Sequence, residues 1–151
     1  MHPAIERALG KAAIGAGHHV LAPEQIGEAQ RPLRDIVDLI LKVRAGAYVI
    51  ESANPRHEHE WQVWKNVKLP DGKVLIPGVI SHATNVVEHP ELIAERILRF
   101  ANLVGRENVM AGTDCGFAQG TFYRRVHPTI MWAKFEALAE GARLASKQLW
   151  N

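Results

Sequence analysis

Apolar positions along this chain alternate between two rhythms. Leu33, Ile36, Val37, Ile40 and Leu41 follow the i, i+3, i+4, i+7, i+8 stripe of a helix with one buried face, and Gly46 is placed to stop it. The next four residues, Ala47-Tyr48-Val49-Ile50, are rich in β-formers and end abruptly at Glu51-Ser52-Ala53-Asn54-Pro55, which predicts a short buried strand. Residues 56–66 are polar with two tryptophans and read as a loop with a short helix. After the turn signal Pro70-Asp71-Gly72-Lys73, the run Val74 to Ile80 predicts a second strand, despite Pro77. A loop extends from Ser81 to His89. Pro90 suits the first turn of a helix whose stripe is Leu92, Ile93, Ile97, Phe100, Ala101 and Val104, closed by Gly105. Asn108 to Thr113 reads as a third strand. Pro128 opens a last helix with a seam of Met131, Phe135, Leu138, Ala142, Ala145 and Leu149.

Residues 1–31 are less legible. Ala4, Ile5, Leu9, Ala12 and Ala13 suit a short helix over 3–14, which Gly15 and Gly17 would end, and the stretch to Arg31 reads mostly as loop. The remainder, 32–151, alternates helix and strand. That alternation predicts an α/β fold with parallel strands and right-handed crossovers. In such folds chemistry gathers at the carboxyl ends of the strands. Glu51, Ser81-His82 and Asp114-Cys115 all come directly after predicted strands, so neighbouring strands would bring them together.

Composition narrows the function classes. The chain's 151 residues suffice for one domain with a core. Eighteen basic against sixteen acidic residues give a net charge of +2, which offers no ground for a nucleic-acid or anionic-membrane partner. No apolar run reaches the roughly 18 residues of a membrane span. The first 17 residues mix acid and base without a long apolar stretch, so no signal peptide is expected. A single cysteine forms no internal disulfide, and the expected compartment is the cytoplasm.

Several residues could carry chemistry. Glu51, directly after an apolar strand, would be partly buried and in need of a cation, a metal or hydrogen-bond donors; an ordinary salt bridge or cap contact would also satisfy it. Cys115, between Asp114 and Gly116, could ligate zinc, act as a nucleophile, or simply pack as a small hydrophobe. His82 could donate a proton, bind a metal, or sit satisfied in its loop. His57-Glu58-His59-Glu60 is not the His-Glu-x-x-His motif, and i, i+2 histidines do not share a helix face. His59 and Glu60 are better placed to brace the Glu51 loop by hydrogen bonds. The adjacent His18 and His19 cannot easily share one metal. The four tryptophans lack an accompanying basic stripe and read as packing residues. The loop with Gly116 and Gly120 matches neither a P-loop nor a dinucleotide fingerprint.

Four segments together resemble a known family. Tyr48 to Glu60 (YVIESANPRHEHE), Pro77 to Asn85 (PGVISHATN), Glu88-His89-Pro90-Glu91, and Ala111 to Phe117 (AGTDCGF) are similar to the C-terminal catalytic barrel of cobalamin-independent methionine synthase. They look closest to its short relatives, which include the epoxyalkane:coenzyme M transferases. The resemblance covers about residues 32–147. It implies a TIM-type (β/α) barrel and zinc-dependent methyl or alkyl transfer to a small-molecule thiol, as in homocysteine methylation within methionine biosynthesis or epoxide opening. It implies that zinc lowers the pKa of the acceptor thiol. The family's ligands are a His-x-Cys pair, a strand-end Glu and a Cys in an Asp-Cys-Gly turn. Glu51 and Cys115 match the last two; the expected catalytic residues are His82, which stands near the family's proton-donating His, and Asp114 beside the cysteine.

Two departures shape the expectation. Where the His-x-Cys pair should stand, the chain reads His19-Val20-Leu21, leaving His19, Glu51 and Cys115 as zinc ligands and predicting weak or absent zinc binding. A complete barrel takes roughly 200 residues or more, so the sequence predicts a partial barrel of three or four strands. Such a half-barrel would form a homo-oligomer or join a partner supplying the missing half. The rival readings are a non-catalytic remnant or split-enzyme subunit, and a hydrolase using Cys115 as nucleophile with His82 and Asp114.

Overall fold

The computed structural model describes residues 31–118 and 125–151. The helix expected over 3–14 lies outside them. The chain divides into two compact units, residues 1–44 and 45–151. In the first, helix α1 spans Leu33–Ile40 and buries Leu33 and Val37, as its apolar stripe predicts.

The second unit is α/β. In chain order it holds strand β1 (Ala47–Ile50), a 3-10 helix over Glu58–Lys65, strand β2 (Val74–Ile80), helix α2 (Pro90–Val104), a 3-10 turn at Arg106–Asn108, strand β3 (Gly112–Thr113) and helix α3 (Pro128–Leu149). The described strands form one parallel sheet in the order β1-β2-β3. They are sequential neighbours, so their carboxyl ends lie side by side. These three described strands do not by themselves close a barrel.

β3 is shorter than the expected 108–113. Val109 makes an isolated parallel bridge to Leu75, and only Gly112 and Thr113 form a strand. The register on β2 explains the break: Gly78 pairs with Gly112 but Ile80 pairs with Thr113, so two steps on one strand face one on the other. Such a bulge bends the strand and re-aims the residues beyond it. It sits just after Pro77, which brings no N–H to the central strand's ladder. Beyond the bulge the pairing resumes, with the Asp114 amide donating to the Ile80 carbonyl at 3.1 Å.

Both long helices begin with the same device. Pro90 and Pro128 occupy the first turn, where a missing N–H costs nothing. The histidine before each, His89 and His127, accepts the amide of the residue after the proline through Nδ1, both at 3.3 Å. The core gathers Val79 and Ile80 of β2, Ile93, Ala94 and Ile97 of α2, and Ala137 and Ala145 of α3. On α3 the buried line is Lys134, Ala137, Gly141 and Ala145; Ala145 belongs to the predicted seam, whereas Phe135, Leu138 and Ala142 of that seam flank the line, half-buried. Close approach explains the shift. A Cβ on Gly141 would stand 2.5 Å from Ile93 Cγ2 and 2.9 Å from the Pro90 carbonyl, so the small residues of α3 face α2. Among the described residues, no helix is long and apolar enough to cross a membrane.

Candidate metal centre

Glu51 comes directly after β1, and His82 and Cys115 each stand two residues beyond the ends of β2 and β3. Side-by-side parallel strands therefore deliver a carboxylate, an imidazole and a thiol to one place. One potential ligand atom from each lies within 4.8 Å of the other two. His82 is only 9% exposed, whereas Cys115 is exposed.

The loops that carry these groups are tied together by Asp114. Its Oδ1 accepts the amides of Ser52 and Ala53, both at 3.0 Å, and its Oδ2 accepts Asn54 Nδ2 at 3.1 Å. Asn54 Nδ2 also donates to Glu51 Oε2 at 2.9 Å, while Asn54 Oδ1 receives the amides of Arg56 and His57. Ser52 Oγ donates to the Gly78 carbonyl at 2.6 Å. One buried carboxylate thus fixes the turn after β1 against the turn after β3. Burial pushes the Asp114 carboxyl above its usual range, outweighing the three donors, and neighbouring Glu51 adds to the shift.

Glu51 is braced on one oxygen and available on the other. Oε2 is held by Asn54 and faces His57 Nε2 at 3.9 Å, and Oε1 accepts from the Cys115 thiol. His57 Nδ1 meets Glu60 Oε2 at 2.8 Å, and this hydrogen bond is the main reason the imidazole pKa is raised. The expected brace by His59 and Glu60 is corrected in its first member: the histidine bonded to Glu60 and facing Glu51 is His57.

His82 Nδ1 accepts the Cys115 backbone amide at 3.2 Å. An acceptor Nδ1 leaves the neutral ring's hydrogen on Nε2. In this state His82 is a donor through Nε2, and it binds a cation only by giving up that hydrogen or the amide contact. Gly116, at φ 75°, turns the chain sharply after Cys115.

Partial desolvation among the surrounding loops pushes the Cys115 thiol up to about 12, and the hydrogen bond to Glu51 and the charges of Glu51 and Asp114 add to this against the opposing charge of Arg125. A catalytic cysteine nucleophile needs the reverse, a depressed pKa and a base on its sulfur. Here the sulfur faces a carboxylate, and the His82 Nδ1 faces the backbone. The metal-free protein should accordingly react with iodoacetamide at pH 8 at least about a hundredfold more slowly than the same chain in urea, because only the thiolate attacks. The rate should still be climbing at pH 10. Labelling as fast in the folded as in the unfolded chain would contradict this environment.

The donor set fits a zinc-like cation. The Cys115 sulfur and a Glu51 carboxylate oxygen, at bond lengths of about 2.0–2.3 Å, would stand roughly 3.3–3.8 Å apart around a tetrahedral ion, so small side-chain movements suffice from the observed spacing. A thiol that donates to a carboxylate is a pair that can hold a cation in place of the shared proton. Among the described residues the histidine brought to the pair is His82; the expected ligand His19, and Leu21 beside it, lie outside the described residues.

No protein-family model and no curated protein matches the chain. Its fold is similar to part of a solved structure, a B12-independent methionine synthase from Shewanella sp. W3-18-1 in complex with selenomethionine. The TM-score is 0.61 and the identity 21%; the match covers 76% of this chain and 30% of that one. The chain spans less than a third of that protein's length, and the likeness is one of fold.

Proposed function

We propose that this chain carries the metal-binding end of a methyl- or alkyl-transfer site acting on a small-molecule thiol, with Glu51 and Cys115 as zinc ligands. The observation that carries the reading is the meeting of Glu51, His82 and Cys115 at the ends of three adjacent parallel strands. The fold likeness to a methionine synthase and the four sequence segments point the same way.

The residues divide the work. Glu51 offers Oε1 while Asn54 keeps Oε2 in place, and Cys115 offers its sulfur. Zinc, when bound there, lowers the pKa of an acceptor thiol so that it is a thiolate at neutral pH. His82 presents the Nε2 hydrogen to the leaving group of the alkyl donor, its ring set by the Cys115 amide. Asp114, whose Oδ1 holds the Ser52 and Ala53 amides and whose Oδ2 holds Asn54, positions the two loops. Leu21, standing where the family has a second thiolate, makes the affinity for zinc low. The rest of the barrel comes from a second copy or from another polypeptide segment pairing with the outer edges of β1 and β3.

Incubation with zinc, a methyl or epoxide donor and homocysteine or coenzyme M tests the reading, with thioether formation as the readout. His82→Ala should lower the transfer rate about 10²- to 10⁴-fold, the usual contribution of a proton donor, and leave metal affinity within a few-fold. A large fall in metal affinity instead would make His82 a ligand. No thioether with any donor and acceptor pair, at millimolar zinc, would leave the transfer reading without support.

A further inference from the structure

A lysine with none of its side chain exposed needs a reason. Lys134, the first residue of the buried line of α3, is such a residue. Its Nζ contacts Glu88 Oε2 at 2.7 Å and donates to the Val86 carbonyl. A buried ion pair of this kind is often no more stabilising than apolar side chains of the same size, so its specific geometry is the informative part.

That geometry leads to the metal centre. The second oxygen of Glu88, Oε1, accepts the Ser81 amide at 2.7 Å. Ser81 immediately precedes His82, and its Oγ accepts the Ala83 amide at 3.1 Å, so hydrogen bonds anchor the backbone on both sides of His82. From there the His82 ring reaches the Cys115 amide. A continuous line of contacts runs from α3 through Lys134, Glu88 and Ser81 to His82 and the Cys115 turn.

We propose that Lys134 and Glu88 are positioning residues for His82: the pair grips the Ser81 amide and so aims the imidazole at the Cys115 turn. The inference rests on the reading that His82 acts at this centre, yet it is tested on metal-free protein without substrate, so its failure and the failure of the transfer reading are separate results.

The readout is the His82 ring in nitrogen-15 NMR of chelator-treated protein, together with hydrogen exchange of the Cys115 amide. The native chain should show a single neutral tautomer with hydrogen on Nε2. Lys134→Met, of similar size, and Glu88→Ala should both give a mixture of tautomers and speed Cys115 amide exchange at least about tenfold. Glu88→Gln keeps an acceptor for the Ser81 amide and should preserve the single tautomer better than Glu88→Ala. A folded Lys134→Met chain with the native tautomer and native exchange would overturn the proposal. Should the variants not fold, native-state exchange on the unmodified protein decides: the Ser81 and Cys115 amides should open together, and independent opening would overturn it equally.

Discussion

Gly78→Ala is expected to destabilise the second unit by about 3 kcal/mol or more, measured by urea denaturation, and to abolish metal binding at Glu51 and Cys115. The cause is local. A Cβ at position 78 would collide with Asp114 Oδ1 and stand 2.6 Å from the Asp114 amide nitrogen and 2.7 Å from its Cα. Two of those three atoms are backbone, so no rotamer change relieves them. Gly78 also begins the register shift between β2 and β3, and its carbonyl holds Ser52 Oγ. The added methyl group therefore pushes the β3 end away from β2 at the point where all three strand-end loops meet. Native-like stability and undiminished metal affinity in Gly78→Ala would show that the strands do not approach so closely.

Asp114→Ala should have the next largest effect. It leaves two backbone amides and one of the two Asn54 Nδ2 hydrogens without an acceptor in a buried setting, while the other Nδ2 hydrogen keeps Glu51 Oε2. At about 1–3 kcal/mol for each unsatisfied buried group, partly recovered by water, a loss of about 3–5 kcal/mol is expected. Asp114→Asn should fall between, since one side-chain oxygen still serves Ser52 and Ala53 while the new amide group confronts Asn54 Nδ2, donor against donor. Turning Asn54 over does not help, because its oxygen already receives the amides of Arg56 and His57. The same denaturation series checks both. Equal stability of Asp114→Ala and the native chain would mean that Asp114 does not tie the loops, and its carboxylate would again be free to act on substrate.

The strand ends are legible in the sequence because each apolar run stops at a sharply polar residue, and a parallel sheet converts such stops into one shared edge. Glu51, His82 and Cys115 are visible on that ground alone. The features that patterning misses depend on contacts across the chain. Lys134 counts as polar in any periodic reading, which puts the seam of α3 on Met131 and Phe135; its partner Glu88 is 46 residues away. The shortening of β3 comes from a register shift opposite Pro77 and Gly78, a property of the pair of strands. His57 rather than His59 braces the Glu51 loop because a 3-10 helix sets which side chain meets Glu60. The His-Pro pairs at 89–90 and 127–128 do carry a local signal, a capping histidine before a first-turn proline, which accounts for His89 and His127 among the eight histidines.

Cobalt(II) titration of chelator-treated protein tests the shared metal site most directly, because sulfur bound to cobalt absorbs in the near ultraviolet and weak binding is still measurable. The account predicts a saturable thiolate-to-cobalt band at one ion per chain, absent in Cys115→Ser and weakened at least about tenfold in affinity by Glu51→Gln. No band at millimolar cobalt, or a band that survives Cys115→Ser, would contradict it.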